Sequence, residues 1–275
     1  MFADAALAAR IESAEAALCT DIADATPGGR VTPLAGGAAV LARPGGPINK
    51  VAGVGLAGPL DLAALAAVEA AWDAAATPVR FEIATLAEPA LFAALLARGY
   101  RLEGFEHVLA RPLTARDAHA AVPAGITVER VTAATSTLWL DLALAGFGTA
   151  DGSGVEVDAP HDDGALRVIF EDFARVDALP RWIARVDGEP AGSASARFGD
   201  GFAMLCGAST VPRLRRRGVQ RALAAVRLAE GLAAGCTHAL VTTAPGSQSQ
   251  ANLAALGFTM VYARAVLVRP TPAGA

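Results

Sequence analysis

Residues 206–222 read CGASTVPRLRRRGVQRA, and their reading decides the fold of the second half of the chain. The run 202–211, which leads into and overlaps them, is apolar and small, as a buried strand requires. Pro212 ends that run, Arg215-Arg216-Arg217-Gly218 forms a tight basic turn, and 219–234 continues as a helix closed by Gly235. A helix that starts in this way presents unpaired backbone N–H groups and the positive end of its dipole. A diphosphate can sit there, with nearby arginines adding charge-assisted hydrogen bonds and Gly218 allowing a close backbone approach. A solvated basic turn that only caps a helix is the competing reading.

Beyond this helix, 237–243 reads as a strand, 247–256 as a helix closed by Gly257, and 258–268 as the last strand. Upstream lie a strand at 126–131, a helix at 133–145 bearing Trp139, an acidic glycine-containing loop at 146–163, and a helix at 165–174. Next comes a hairpin, 181–186 with 191–198, around the turn dipeptide Asp187-Gly188. The first half reads as a helix at 3–24, a hairpin within 30–43, a short strand at 49–55 and a helix at 61–76 with Asp61 as its N-cap. A β-like run at 78–84, a helix at 89–98 stopped by Gly99 and a strand or hairpin at 100–110 complete it.

The two halves repeat. Shifted by 158 residues, Thr243 falls on Thr85, Gly257 on Gly99, Val266-Leu267 on Val108-Leu109 and Arg269-Pro270 on Arg111-Pro112. Ala222-Leu223-Ala224-Ala225-Val226 falls on Ala64-Leu65-Ala66-Ala67-Val68. From 60 to 112, 17 of 53 positions are identical. A tandem duplication explains this; two unrelated alanine-rich α/β segments are the alternative. Arg215-Arg216-Arg217-Gly218 falls on Ala57-Gly58-Pro59-Leu60, so the first copy lacks the arginines and carries a proline without an N–H. One working unit and one degenerate unit is the expectation.

The turn resembles the acetyl-CoA signature of the GNAT superfamily of N-acetyltransferases, V-x-P-x-x-R-x-x-G-x-G/A, at Pro212, Arg215 and Gly218. It departs at Gln220, where the family has Gly or Ala. Downstream, Asn252 on its helix and Leu256-Gly257-Phe258 are similar to the family's asparagine-bearing helix and its L-G-F strand entry. The resemblance covers about 126–270. It implies an α/β (α+β) fold of two tandem GNAT-like units, each a mixed, mostly antiparallel sheet flanked by helices. The units are expected at 1–113 (degenerate) and 126–275 (catalytic), joined by a linker at 114–125. It implies acetyl-CoA as cosubstrate, with the strand end around Ser209, Thr210 and Val211 meeting the pantetheine arm. Arg215, Arg216, Arg217, Gly218, Val219 and Gln220 would hold the pyrophosphate, and Asn252 would touch the cofactor from the next helix. The implied reaction is direct attack of a primary amine, on a small molecule or peptide, upon the acetyl group. A catalytically weak acyl-CoA-binding sensor or scaffold is the alternative.

The catalytic acid is less defined. Many family members carry a tyrosine where this chain has Leu253. Tyr262, the only tyrosine of the second half, is the candidate acid, with a packed strand aromatic as its other reading. Asp158, His161, Asp162 and Asp163 form an acidic loop that either faces the acceptor or is simply solvated; their spacing fits no metal template. Net charge of −4 argues against a nucleic-acid footprint, despite the arginines of 213–221. No run of about 18 strongly apolar residues forms a membrane span, and the first residues lack a secretory h-region. Cys19, Cys206 and Cys236 are far apart and read as free thiols in a reducing cytoplasm.

Overall fold

The computed structural model describes residues 3–119, 121–149 and 163–271. In chain order they form α1 (Ala5–Ala25), β1 (Arg30–Leu34), β2 (Gly37–Leu41), β3 (Lys50–Ala52), α2 (Leu62–Ala74), β4 (Val79–Ala84), α3 (Pro89–Ala97), β5 (Arg101–Pro112) and β6 (Ile126–Arg130). There follow α4 (Ser136–Phe147), α5 (Asp163–Arg175), β7 (Arg181–Val186), β8 (Glu189–Gly199), β9 (Phe202–Thr210), α6 (Val219–Ala233), β10 (His238–Thr243), α7 (Gln248–Ala254) and β11 (Thr259–Arg269). The expected helices and strands are present, with ends displaced by a few residues. Asp158, His161 and Asp162 lie outside the described residues, and Asp163 begins α5.

The chain divides into two compact units. Unit 1 comprises 1–108 with 260–275, and unit 2 comprises 109–259. Both are α/β with a mixed, mostly antiparallel sheet. In unit 1, β1–β2, β2–β3 and β4–β11 pair antiparallel and β3–β4 pair parallel. In unit 2, β6–β7, β7–β8 and β8–β9 pair antiparallel and β9–β10 pair parallel. Each unit thus runs antiparallel strands, three in unit 1 and four in unit 2, then a helix, a parallel strand and another helix. The 158-residue offset carries α2, β4, α3 and β5 onto α6, β10, α7 and β11 within one residue at each end.

The last strands do not stay with the segments that precede them. Most of β11 is in unit 1, paired with β4 from Arg264↔Ala84 to Arg269↔Val79. The end of β5 is in unit 2, where the Leu113 N–H donates to the Thr237 carbonyl at 2.9 Å. The matched arginines follow their strands. Arg111 donates to the Leu256 carbonyl (2.8 Å) and to Asp117, whereas Arg269 donates to both carboxylate oxygens of Asp73 at 2.9 Å. Residues 113–119 are well anchored in unit 2. The buried Asp117 carboxylate accepts from the Thr114 N–H at 2.8 Å, and the short turn Asp117–His119 packs on α6.

Unit 1 buries charge. Lys50 on β3 bridges Glu15 and Glu82, each at 2.7 Å. Arg264 on β11 donates to Glu12 at 2.8 Å and lies 3.3 Å from Glu15. Burial pushes Glu15 up, but Lys50 and Arg264 overcome it and hold its carboxyl down at about 2. Glu106 goes the other way: burial, reinforced by Glu82, pushes it up to about 7. Such pairs hold only while every partner remains, because a lone buried charge is costly.

Unit 2 is built on aromatics. Trp139 of α4 is fully buried and meets Phe170 of α5 edge-on at 5.7 Å. Gly146 lets α4 press against β9, where a Cβ would lie 2.4 Å from that of Ser209. Truncating a core tryptophan of this kind costs about 3–5 kcal/mol.

Candidate functional site

In unit 2, β9 and β10 pair only through Phe202↔His238, Ala203↔Ala239 and Met204↔Leu240. From Leu205 to Thr210 the edge of β9 on that side has no strand partner among the described residues. A strand edge without a neighbouring strand is a template for an extended ligand. On its other side β9 pairs with β8, and there it bulges: Ser209↔Ser193 and Cys206↔Ser195 bracket Gly207 and Ala208 against the single residue Ala194. Gly207 has φ +57. Ser209 is buried, with its hydroxyl 3.0 Å from that of Ser193 and donating to the Leu142 carbonyl at 3.1 Å. Thr210 accepts from Gln220 at 3.2 Å, and Val211 is buried.

The open edge of β9 leads directly to the basic turn. Pro212–Leu214 makes one 3-10 turn, and Gly218 is the N-cap of α6 at φ +88 with no side-chain cap. The first helical bond is from the Ala222 N–H to the Gly218 carbonyl, at 3.0 Å. Among the described residues, the N–H groups of Arg216, Arg217, Gly218, Val219 and Gln220 have no backbone acceptor. These orphan donors and the helix dipole together suit an anion. The three turn arginines differ. Arg215 reaches back to the Gly146 and Thr149 carbonyls at 3.1 and 2.6 Å, bracing the end of α4. Arg217 pairs with Asp187 at 2.7 Å. Arg216, exposed and with φ +62, makes no ion pair or side-chain hydrogen bond among the described residues.

The equivalent junction in unit 1 is filled. The Asp61 carboxylate accepts from the Ala63 and Ala64 N–H groups at 2.8 and 3.3 Å, so α2 carries its own anion. Beyond β3, the Leu91 and Ala87 side chains press on Gly55 so closely that a Cβ there would lie 2.6 and 2.8 Å from them, within a core that includes Val54 and Ile83. The residue of unit 2 that matches Leu91 is the exposed Ser249, and α7 has no buried residue at all. Asn252 lies on this exposed helix and accepts from Gln248 at 3.0 Å.

The structure therefore gathers Ser209, Thr210, Val211 and the turn 215–220 at one junction, with Asn252 on α7 of the same unit. Tyr262 belongs to unit 1. It is 4% exposed and its hydroxyl donates to Glu12 at 2.6 Å. Burial and the Glu12 carboxylate raise its pKa. Sequence reasoning misses Arg227 and Ser193, and reads Trp139, with Phe147, as a core residue or, alternatively, as lining the acceptor pocket. A charged residue one turn after Leu223, on the apolar stripe of α6, was the available signal for Arg227. The arrangement can hold a diphosphate at the turn and an extended, amide-bearing chain along β9.

Residues 147–258 match the model of the acetyltransferase (GNAT) family. Among solved structures, a GCN5-related N-acetyltransferase from Kribbella flavida is similar, with a TM-score of 0.65 at 20% identity, covering 95% of this chain and 96% of that one. A functionally unknown conserved protein from Staphylococcus epidermidis gives 0.57 at 10% identity over 77% and 80%. A tandem GNAT protein from the clavulanic acid biosynthesis pathway gives 0.56 at 14% identity over 78% and 70%. At these identities the likeness is one of fold. No curated protein matches the chain.

Proposed function

We propose, because this chain belongs to the GNAT acetyltransferase family through residues 147–258, that unit 2 binds acetyl-CoA and transfers its acetyl group to a primary amine of a small molecule or peptide. The observation that carries this reading is the uncapped start of α6 at Gly218, placed at the end of the stretch of β9 that runs on beyond its last pairing with β10 at Met204. The N–H groups from Arg216 to Gln220 hold the diphosphate, with Arg216 adding a charge that no carboxylate among the described residues competes for. Backbone groups of 206–211 hold the pantetheine arm, and Asn252 contacts it from α7. The amine nitrogen attacks the acetyl carbon, an amide C–N bond forms and the thioester C–S bond breaks. The amine gives up a proton and the CoA thiolate takes one. Tyr262 is a poor source for that proton, since its hydroxyl is held by Glu12 and its pKa is raised. We assign the proton to solvent.

Isothermal titration with acetyl-CoA tests the binding half. Micromolar binding is expected, and no heat at millimolar ligand would end the proposal. Release of free CoA thiol over a panel of amines tests the transfer half. The commitment of Tyr262 to Glu12, with Leu253 at the family's tyrosine position, favours a second reading: an acyl-CoA-binding sensor that does not turn over. Thiol release above the no-amine background rejects it.

A further inference from the structure

The bulge in β9 frees carbonyl groups that the strand ladder cannot use, and two buried side chains collect them. The Ala194 carbonyl, opposite the bulge, accepts from the Trp139 indole N–H at 3.2 Å. The Ser195 and Cys206 carbonyls accept from Nη1 of Arg227, at 3.1 and 3.5 Å. Nε of Arg227 donates to the Leu223 carbonyl at 3.0 Å, one turn earlier on α6. Arg227 is only 3% exposed, and among the described residues no carboxylate pairs with it. Burial lowers its pKa to about 10. A guanidinium buried against carbonyls alone is an expensive way to fill space, since an apolar side chain of similar volume would pack there without the desolvation penalty. The fold does not demand it either. At the matching place on α2 stands Glu69, which accepts instead from Arg98 and Tyr100.

We propose that Arg227, together with Trp139, is a positioning residue that fixes the β9 bulge so that the backbone of 206–208 meets the acyl end of the thioester ligand. This rests on acetyl-CoA binding by unit 2. At about 3.3 Å per residue, the strand from Val211 back to Gly207 spans roughly 13 Å. An extended arm that begins at the Gly218 turn therefore ends at the bulge. Arg227 lies behind the strand backbone and acts through it. Its Nη1 collects carbonyls from both β8 and β9 while its Nε holds the Leu223 carbonyl of α6, a planar arrangement that a single ammonium reproduces only in part.

The test compares acetyl-CoA with ADP, which carries the diphosphate but no pantetheine arm, by titration against wild type, Arg227→Gln, Arg227→Lys and Trp139→Phe. Melting temperatures are recorded alongside. The expectation is that Arg227→Gln leaves ADP affinity within about twofold while acetyl-CoA affinity falls roughly tenfold, the size of one or two lost hydrogen bonds. Arg227→Lys recovers part of the loss. Trp139→Phe keeps a ring in the core but removes the donor to Ala194, and shows the same split more weakly; it carries the test if Arg227→Gln does not fold. A general loss of structure would weaken both ligands together, so equal weakening overturns the proposal, as does unchanged preference for acetyl-CoA over ADP. Wild type that does not bind acetyl-CoA removes the functional reading and this inference with it. Wild type that binds, beside variants that keep its full preference, removes only the inference.

Discussion

The helices α2 and α6 begin at matching places in two units of the same topology, and they begin differently. At α2, Asp61 places its carboxylate on the Ala63 and Ala64 N–H groups. At α6, Gly218 offers no side chain and, among the described residues, the N–H groups have no backbone acceptor. Further along each unit, α3 covers Gly55 with Leu91, where α7 presents only exposed or half-buried residues. The lesson is that an anion site at a helix start is defined by what is left out. One carboxylate supplies internally what a phosphate would supply from outside, and a leucine occupies what a ligand would occupy.

The most damaging change to unit 2 is to give α6 the cap that α2 has. Gly218→Asp places a carboxylate on the orphan N–H groups and forces a non-glycine residue into the left-handed region, a strain of about 1–2 kcal/mol. Acetyl-CoA affinity should fall by about a hundredfold or more, the sum of a filled site and a repelled diphosphate. Titration calorimetry with melting as a control reads this, and retained affinity would show that the helix start is not the anion site. A smaller effect is expected at the turn itself. Arg216→Ala removes the guanidinium that has no partner among the described residues, and acetyl-CoA affinity should drop about tenfold with no change in melting temperature. Arg217→Ala should cost less, because Asp187 already claims that side chain at 2.7 Å.

The units also differ in how they bury charge. Unit 2 buries one arginine against carbonyls, whereas unit 1 buries a network of carboxylates around Lys50 and Arg264. Glu106 is the member at which this contrast can be measured. Burial, then Glu82, raises its pKa from 4.5 to about 7. A carboxyl whose folded pKa is raised binds more protons folded than unfolded between those two values, so its ionisation removes stability as pH rises through that window. Glu106→Gln, neutral throughout, should match wild type near pH 5 and exceed it at pH 8 by about 1–2 kcal/mol, allowing for partial solvent exposure. Chemical denaturation at the two pH values measures this. Equal stabilities at pH 8 would mean that Glu106 ionises there without cost.

Much of this was legible in the sequence because local chemistry carried it. Gly218 after three arginines, Asp61 before an apolar run, and glycines at 99, 235 and 257 are signals that act within a few residues. The placing of most of β11, and of the end of β5, in the other unit was not legible. β5 and β11 share Val-Leu and Arg-Pro at matched positions, so either could complete either sheet by pattern alone. The partner of Tyr262 was hidden for the same reason: Glu12 is 250 residues away in sequence. The role of Arg227 depends on a bulge that no local residue pattern announces, although its place on the apolar stripe of α6 marks it as unusual.

The smallest effect is expected in unit 1. Asp61→Ala uncaps α2 and should cost about 1 kcal/mol, a fall of about 2–4 °C in melting temperature if the chain melts as one cooperative unit of this size. It should not create a second acetyl-CoA site. The carboxylate is only one of the features that close unit 1, since Pro59 lacks an N–H, no arginine stands in the turn, and Leu91 and Ala87 still press on Gly55. The measurement is cleanest with unit 2 silenced, so Asp61→Ala is combined with Gly218→Asp and titrated with acetyl-CoA and with ADP. No binding to the double variant is expected. Weak ADP binding without acetyl-CoA preference would mean that the helix start alone recruits a diphosphate once uncapped, leaving Leu91 as the barrier to the arm. Full acetyl-CoA binding would make Asp61 the sole lock on unit 1, and the filled core beyond β3 would then count for nothing in keeping the two units apart in function.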